Sequence, residues 1–157
     1  MATLKELLQG DLIIADIKAI DKVGVIREFA AHVAVAGKVR DADELTRVLL
    51  ERESMGSTGI GDGVAIPHGK LHGMSDVVVA FGRSRRGVDY QSLDDKPAYL
   101  FFLLVTPEDS PGEHLKMLAR ISRILKNPVL REKLRTVPDG RELHQLILEE
   151  DSKYPQK

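Results

Sequence analysis

Hydrophobic residues in the first third of the chain recur every three or four positions, which is the spacing of one face of an α-helix. The first run of this kind has four such positions: Ile26, Phe29, Ala30 and Val33. Asp21 precedes the run as a typical N-cap residue, and Gly37 follows it where a helix commonly ends. The pattern therefore predicts a helix between Asp21 and Gly37.

A second run with the same spacing predicts another helix. It begins at Asp41, with Glu44 three residues later in the order of a capping box, and it ends before Gly56. The apolar positions of this helix are Leu45, Val48 and Leu49. Three further helices are predicted in the C-terminal third, at residues 111–125, 128–135 and 140–150.

Shorter apolar runs predict β-strands. Residues 12–14 suit a strand or an extended lead-in, and residues 77–81 are consecutively apolar. The most apolar run, residues 99–105, is too short for a helix and favours a central strand that is buried on both faces. Residues 83–87 predict a turn. The short spacing between the runs at residues 77–81 and 99–105 permits a hairpin.

The order of these elements predicts the fold class. Residues 57–73 contain five Gly and one Pro, so we expect a loop with short extended pieces there. Helices that flank and separate strands predict an α/β fold, with a single mixed β-sheet of about four or five strands flanked by helices.

Length and composition narrow the class of protein. The chain has 157 residues, of which 43% are hydrophobic and 30% are charged, and this is typical of one soluble globular domain. We assign the domain to residues 1–150 and expect residues 151–157 to form a flexible tail. The net charge of −1 gives no positive field that would hold nucleic acid or an anionic membrane.

The sequence lacks the residues of cysteine-based sites and the apolar segments of membrane or secreted proteins. The sequence contains no Cys, which excludes disulfides, thiolate metal ligands and cysteine nucleophiles. No stretch approaches the ~20 apolar residues of a membrane span, and the first residues lack the apolar run of a signal peptide. We therefore expect a cytoplasmic protein without membrane insertion.

The glycine-rich segment contains a histidine in a restricted setting. His68 lies between Pro67 and Gly69. Proline fixes the backbone just before the ring, and glycine leaves space and a backbone N–H where an anion could sit. This setting suits a histidine nucleophile, although a histidine that merely ends a strand fits the local pattern as well.

Two other polar residues lie on apolar helix faces. Arg52 continues the stripe of the second helix, where its guanidinium needs a partner. A phosphoryl group would suit its planar fork, and the alternatives are an ion pair with a neighbouring Glu or a side chain that extends to solvent. Ser110 and Glu113 have the spacing of a capping box and predict the start of a helix, and His114 lies in its first turn. His114 also begins the apolar stripe of this helix. Because the N-terminus of a helix attracts anions, His114 could face a bound anion; the alternative is a half-buried histidine with a hydrogen bond inside the protein.

Together these residues indicate anion or phosphoryl chemistry on histidine. The motif Gly-Val-Ala-Ile-Pro-His at residues 63–68, with Arg52 and Glu53 upstream and Pro-Gly-Glu-His at residues 111–114 downstream, resembles the IIA components of the bacterial phosphotransferase system (PTS). The resemblance is to the fructose/mannitol class, including its nitrogen-regulatory branch. It extends over residues 4–150.

The resemblance implies a role for each matching residue. His68 would be the catalytic phosphohistidine intermediate of a phosphotransferase, with the phosphoryl group on Nε2, the tele position. Arg52 would lie beside that group, and His114 would donate a hydrogen bond to it. The phosphate-binding positions implied by the resemblance are Ser57, Thr58 and Gly69.

The resemblance also implies the partners. An HPr-type phosphocarrier protein would supply the phosphoryl group to His68, and a IIB component would receive it, with no cofactor or metal. The alternative is a nitrogen-type regulatory protein, in which the phosphorylation state of His68 gates binding to target proteins. The sequence is compatible with both roles.

A site of another class is a metal centre formed by His68, His72 and His114. The spacing of His68 and His72 suits a helix, but the glycines that follow each of them argue against a helix there. No Asp or Glu completes a recognisable ligand set. His32 and His144 are interpreted as ordinary helix residues.

Overall fold

The fold is built around strand β6 (Ala98–Pro107), which contains the most apolar run of the sequence. The computed structural model describes residues 3–155, and it buries every residue of β6 except the half-buried Tyr99. A strand of this composition is stable only when both of its faces are covered. The neighbouring strands and helices supply that cover.

The sheet around β6 is mixed. β5 (Val78–Val88) pairs with β6 antiparallel, as the expected hairpin. β3 (Val64–Ala65) and β4 (His68–Leu71) pair one after the other with the opposite side of β6, and both run parallel to it. β1 (Ile13–Ile14) forms one edge beside β5, and the other edge is β2 (Gly59–Gly61), antiparallel to β3.

Helices cover both faces of this sheet. In chain order they are α1 (Leu4–Leu7), α2 (Lys22–Val35), α3 (Ala42–Ser54), α4 (Pro111–Leu125), α5 (Pro128–Thr136) and α6 (Gly140–Asp151). α2 and α3 lie on one face, where Phe29 of α2 packs against Phe101 of β6. α4, α5 and α6 lie on the other face. The prediction of a single mixed sheet flanked by helices is confirmed, and none of the described helices is long and apolar enough to cross a membrane.

The helix ends agree with the sequence signals. The Asp21 carboxylate accepts the N–H of Gly24 at 2.8 Å, and the Asp41 carboxylate accepts the N–H groups that begin α3. Gly37 follows α2 with a φ of +78°, a conformation that favours glycine at a helix C-terminus. The N-cap residues Asp21 and Asp41 and the glycine after α2 are thereby confirmed. Glu44, predicted as the second member of a capping box, contributes its backbone N–H to the cap.

Three local predictions are wrong. Residues 83–87 belong to strand β5 and do not form a turn. The predicted capping box of α4 is not formed, since the Ser110 side chain makes no capping hydrogen bond. The sheet has six strands within residues 3–155, not four or five, because residues 57–73 contain three short strands.

Arg83 explains why β5 continues past the expected turn. Its side chain is fully buried, and its guanidinium donates hydrogen bonds to the backbone carbonyls of Ala15, Leu134 and Val137. The last two carbonyls lie at the C-terminal end of α5, which a helix leaves without intrahelical partners. Arg83 therefore ties the sheet to α5 and to the segment after β1.

Replacing Arg83 with Met is expected to destabilise the protein by about 3 kcal/mol or more, because three carbonyls lose their donor. The matched control is Arg85→Met, since Arg85 is exposed and its guanidinium donates to the carbonyl of Pro138 at the surface. Urea denaturation measures the free energy of unfolding of both variants. Equal losses in the two variants would show that the buried guanidinium contributes nothing special.

The C-terminal segment differs from the expected tail. Asp151 is the last residue of α6 and is buried, where it accepts a hydrogen bond from Arg120 of α4. Arg120 also donates to the carbonyls of Asp151 and Tyr154. The segment through Tyr154 is therefore packed against α4. Residues 156–157 of the predicted tail lie outside the described residues.

Candidate active site

His68 begins strand β4, directly opposite Leu104 of β6. Its ring Nδ1 lies 2.7 Å from the backbone carbonyl oxygen of Ile66. A carbonyl oxygen only accepts hydrogen bonds, so Nδ1 must carry the proton. The Nε2 atom is then left with a free lone pair, as a nucleophilic imidazole requires.

The environment of His68 favours its neutral form. The ring is partly buried, and this burial lowers its pKa below the ordinary value of 6.5. The positive charge of Arg52 lowers the pKa further, whereas the hydrogen bond to Ile66 and the negative charge of Glu53 raise it. The net effect is a lowered pKa, so His68 is neutral at pH 7 and able to act as a nucleophile.

His114 lies against His68, as its place in the first turn of α4 predicts. The centroids of the two rings are 5.5 Å apart and the rings are tilted by 56°. His114 is only 6% exposed, and its Nδ1 lies 2.7 Å from the hydroxyl of the fully buried Thr106. Burial, together with the charges of His68 and Lys70, lowers the pKa of His114 to about 4.

We expect His114 to make the stability of the protein depend on pH. Its pKa is about 4 in the folded protein, below the ordinary 6.5, so between these values the unfolded chain binds more protons. The free energy of unfolding therefore falls as the pH is lowered through this window. His114→Gln does not titrate and should lose less stability over the same window.

Urea denaturation at several pH values between 7 and 4 tests this expectation. The lowered pKa of His68 gives a slope of the same sign in both proteins, so the informative quantity is the difference between the two curves. Parallel curves for wild type and His114→Gln would contradict the assigned pKa of His114.

Arg52 approaches the same site from the last turn of α3. Its guanidinium donates a hydrogen bond to the carbonyl of Gly56 at 3.0 Å, and the side chain is half-buried. It is close enough to His68 for its charge to lower the pKa of that histidine. The structure thus brings together the three residues that the sequence singled out, from α3, β4 and α4.

The hydroxyl of Ser57 contacts its own loop. Ser57 Oγ accepts the N–H of Gly59 at 3.0 Å and lies 3.4 Å from Lys22 Nζ. These contacts shape the turn that leads from α3 into β2. The predicted contact of Ser57 with phosphate stays a prediction.

Thr58 is buried, and both of its donors are engaged within the protein. Its N–H and its hydroxyl bind the two carboxylate oxygens of Glu53. In this arrangement neither donor is free for a phosphoryl group. These bonds join the loop to the end of α3, and the predicted contact of Thr58 with phosphate stays a prediction.

Gly69 has a packing role that its sequence setting did not indicate. A side chain at this position would point to the sheet face opposite to His68, and its Cβ atom would lie 2.9 Å from Val48 Cγ1 of α3. Only glycine allows α3 to approach β4 this closely. A phosphate contact through the backbone of Gly69 stays a prediction.

The sequence analysis assigned no role to four residues around the site: Lys22, Glu53, Thr106 and Tyr90. Glu53 was visible as the neighbour of Arg52, and Thr106 as the polar end of an apolar strand. Tyr90 is 37 positions from Glu53, and such a contact leaves no periodic signal in one sequence.

The other histidines lie outside this group. His72 is exposed and lies 3.1 Å from Glu108, not beside His68 and His114. Residues 3–155 contain no group of three or more His, Asp or Glu side chains that could hold a metal ion. His32 of α2 contacts the backbone carbonyl of Asp11, and His144 of α6 contacts that of Leu8.

Comparison with known proteins identifies the family of this chain. Residues 6–150 match the family described as "Phosphoenolpyruvate-dependent sugar phosphotransferase system, EIIA 2". The chain belongs to this family. The resemblance found in the sequence is thereby confirmed, and the chain is an EIIA 2 domain of the PTS, a phosphotransferase in the general sense.

Curated relatives of this EIIA 2 domain carry two kinds of name. A nitrogen regulatory protein of Bradyrhizobium diazoefficiens is 37% identical over 92% of this chain and 94% of its own length. The fructose-specific EIIABC component of Bacillus subtilis is 40% identical over 83% of this chain. The chain spans 21% of the length of that larger protein.

Solved structures show the same fold. The nitrogen regulatory protein IIA-Ntr of Neisseria meningitidis superimposes with a TM-score of 0.85, is 32% identical, and covers 92% of this chain and 98% of its own. Enzyme IIA of the mannitol system of Escherichia coli, solved in complex with phosphorylated enzyme IIB, gives a TM-score of 0.76 at 21% identity. That structure covers 91% of this chain and 99% of its own, and it supports the fold.

Proposed function

We propose that this EIIA 2 domain is a phosphocarrier in which His68 is the phosphorylated intermediate. The observation that carries the proposal is the hydrogen bond from His68 Nδ1 to the Ile66 carbonyl. It fixes one tautomer and leaves Nε2 as the nucleophile, which supports phosphorylation at the tele position.

The reaction transfers a phosphoryl group between two imidazoles. The N–P bond of a phosphohistidine donor of the HPr type breaks, and its electron pair stays on the donor nitrogen. The lone pair of His68 Nε2 forms the new N–P bond. In this first transfer both the bond broken and the bond formed are N–P bonds, so the phosphoryl group can pass in either direction. In the second transfer the N–P bond of His68 breaks, its electron pair stays on Nε2, and a nucleophile of the IIB component forms the new bond to phosphorus.

The surrounding donors would stabilise the transferred group. Three equatorial oxygens carry the charge of a loose phosphoryl transition state, and fixed donors aimed at them lower its energy. The Arg52 guanidinium supplies a fork of N–H groups. If the Thr106 hydroxyl donates to His114 Nδ1, the proton of that neutral ring stays on Nε2 and can be donated to a phosphoryl oxygen.

A regulatory role is the second candidate. It is favoured by the nitrogen regulatory relative, which this chain matches over 92% of its own length and 94% of the relative's. In this role the same phosphorylation of His68 would gate binding to target proteins. The chemistry at His68 is common to both candidates.

Incubation with phosphoenolpyruvate, enzyme I and HPr tests the proposal. Intact-mass measurement should show the gain of one acid-labile phosphoryl group. Addition of a IIB component should then remove it if the chain is a transport phosphocarrier. A labelled protein that passes nothing to IIB, but binds a target in one phosphorylation state only, would favour regulation. No gain of mass would contradict both candidates.

A further inference from the structure

A buried carboxylate lies beneath the proposed active site. Glu53 follows Arg52 in α3 and is 7% exposed. Its two oxygens are bound by donors from separate parts of the chain: Lys22 Nζ at 3.0 Å, the Tyr90 hydroxyl at 3.0 Å, and the N–H and hydroxyl of Thr58. Four donors on two oxygens leave the carboxylate fully satisfied.

Fold stability alone is a weak explanation for this group. Removing two opposite charges from water costs energy that their attraction often fails to recover. Lys22 is also the first residue of α2, where the helix dipole disfavours a positive charge. The arrangement therefore calls for a role besides stability.

A continuous chain of hydrogen bonds links Glu53 to the phosphoacceptor ring. The carboxylate accepts the N–H of Thr58 at 3.0 Å, and the carbonyl of Thr58 accepts the N–H of Ile66 at 3.0 Å. The carbonyl of Ile66 accepts the proton of His68 Nδ1 at 2.7 Å. Each bond in such a chain polarises and orients the next.

We propose that Glu53 is a positioning residue for phosphoryl transfer, which fixes the orientation and tautomer of His68 through Thr58 and Ile66. Lys22 and Tyr90 hold the carboxylate in place. This inference rests on the proposed function, because it assigns a role within the same reaction.

Burial determines which kinetic quantity Glu53 controls. At 7% exposure it cannot contact a donor protein, so the donor concentration for half-maximal rate should not depend on it. The rate constant at saturating donor should depend on it, since that constant reports the geometry of the transfer step. Loss of folded protein would instead reduce only the amplitude of the reaction.

The experiment compares Glu53→Gln with Glu150→Gln. Glu150 is a matched control because it is also buried, at 5% exposure, and is also bound by a Lys and a Tyr, in its case Lys153 and Tyr154. Single-turnover transfer from phosphorylated HPr is measured over a range of HPr concentrations. We expect the limiting rate constant of Glu53→Gln to fall about tenfold to a hundredfold. Glu150→Gln should keep the wild-type constant.

Equal limiting constants for Glu53→Gln and wild type would overturn the proposal, as would an equal decrease in Glu150→Gln. If Glu53→Gln does not fold, Tyr90→Phe decides, because it removes one donor to the carboxylate and keeps the ring. Tyr90→Phe should slow the limiting constant, and an unchanged constant would overturn the proposal. Failure of wild type to gain a phosphoryl group would instead contradict the proposed function.

Discussion

Replacing His68 with alanine is expected to abolish the gain of a phosphoryl group from phosphoenolpyruvate, enzyme I and HPr. The variant lacks Nε2, the one ring atom that the Ile66 hydrogen bond leaves free as a nucleophile. His114 should not substitute, because it is bound to Thr106 and its low pKa reflects a ring held away from water. Intact-mass measurement after the relay reads the result directly.

The matched control for this variant is His72→Ala. His72 lies in the same glycine-rich stretch, but its side chain is exposed and pairs with Glu108. His72→Ala should gain one phosphoryl group, as wild type does. A phosphoryl group on His68→Ala would move the phosphoacceptor to another residue.

Replacing His114 with alanine is expected to slow both transfer steps by about tenfold to a hundredfold while leaving His68 able to accept phosphate. One hydrogen bond to a charged group is worth about 1.5–3 kcal/mol, which corresponds to that range if it is felt fully in the transition state. Single-turnover transfer from phosphorylated HPr to the protein, and from the protein to a IIB component, measures the two steps separately.

His144→Ala is the control for the His114 variant. His144 is a helix histidine whose ring binds the carbonyl of Leu8, and it makes no contact with His68. Its replacement should leave both transfer rates unchanged. Unchanged rates in His114→Ala as well would exclude an active-site role for His114, and a phosphoryl group found on His114 would reverse the roles of the two histidines.

Local patterns predicted most of the fold. Helix α2 was visible because its apolar spacing, its Asp21 cap and its terminal Gly37 all lie within one short segment. β6 was visible because a strand buried on both faces is apolar at nearly every position. The turn predicted at residues 83–87 was wrong, because the charge of Arg83 suggested exposure. Only the folded chain brings to Arg83 the three carbonyls that allow its burial.

The proposed active site was predictable in part for the same reason. His68, Arg52 and His114 each stand out against their local background, as a histidine between Pro and Gly and as polar residues on apolar helix faces. Tyr90 has no such background, and its contact with Glu53 exists only because the β5–β6 connection folds over the end of α3. The sequence therefore predicts the residues proposed to touch the phosphoryl group better than those that hold them.

The hydrogen bond between His68 and the Ile66 carbonyl also sets the proton inventory of the proposed reaction. Nδ1 carries its proton before the phosphoryl group arrives, and it continues to donate that proton to the carbonyl in a hydrogen bond while positive charge develops on the ring. Neither arrival nor departure of the phosphoryl group then requires a proton to enter or leave the imidazole. In the proposed transfer the ring would therefore leave as a neutral imidazole, without an acid or a base from solution.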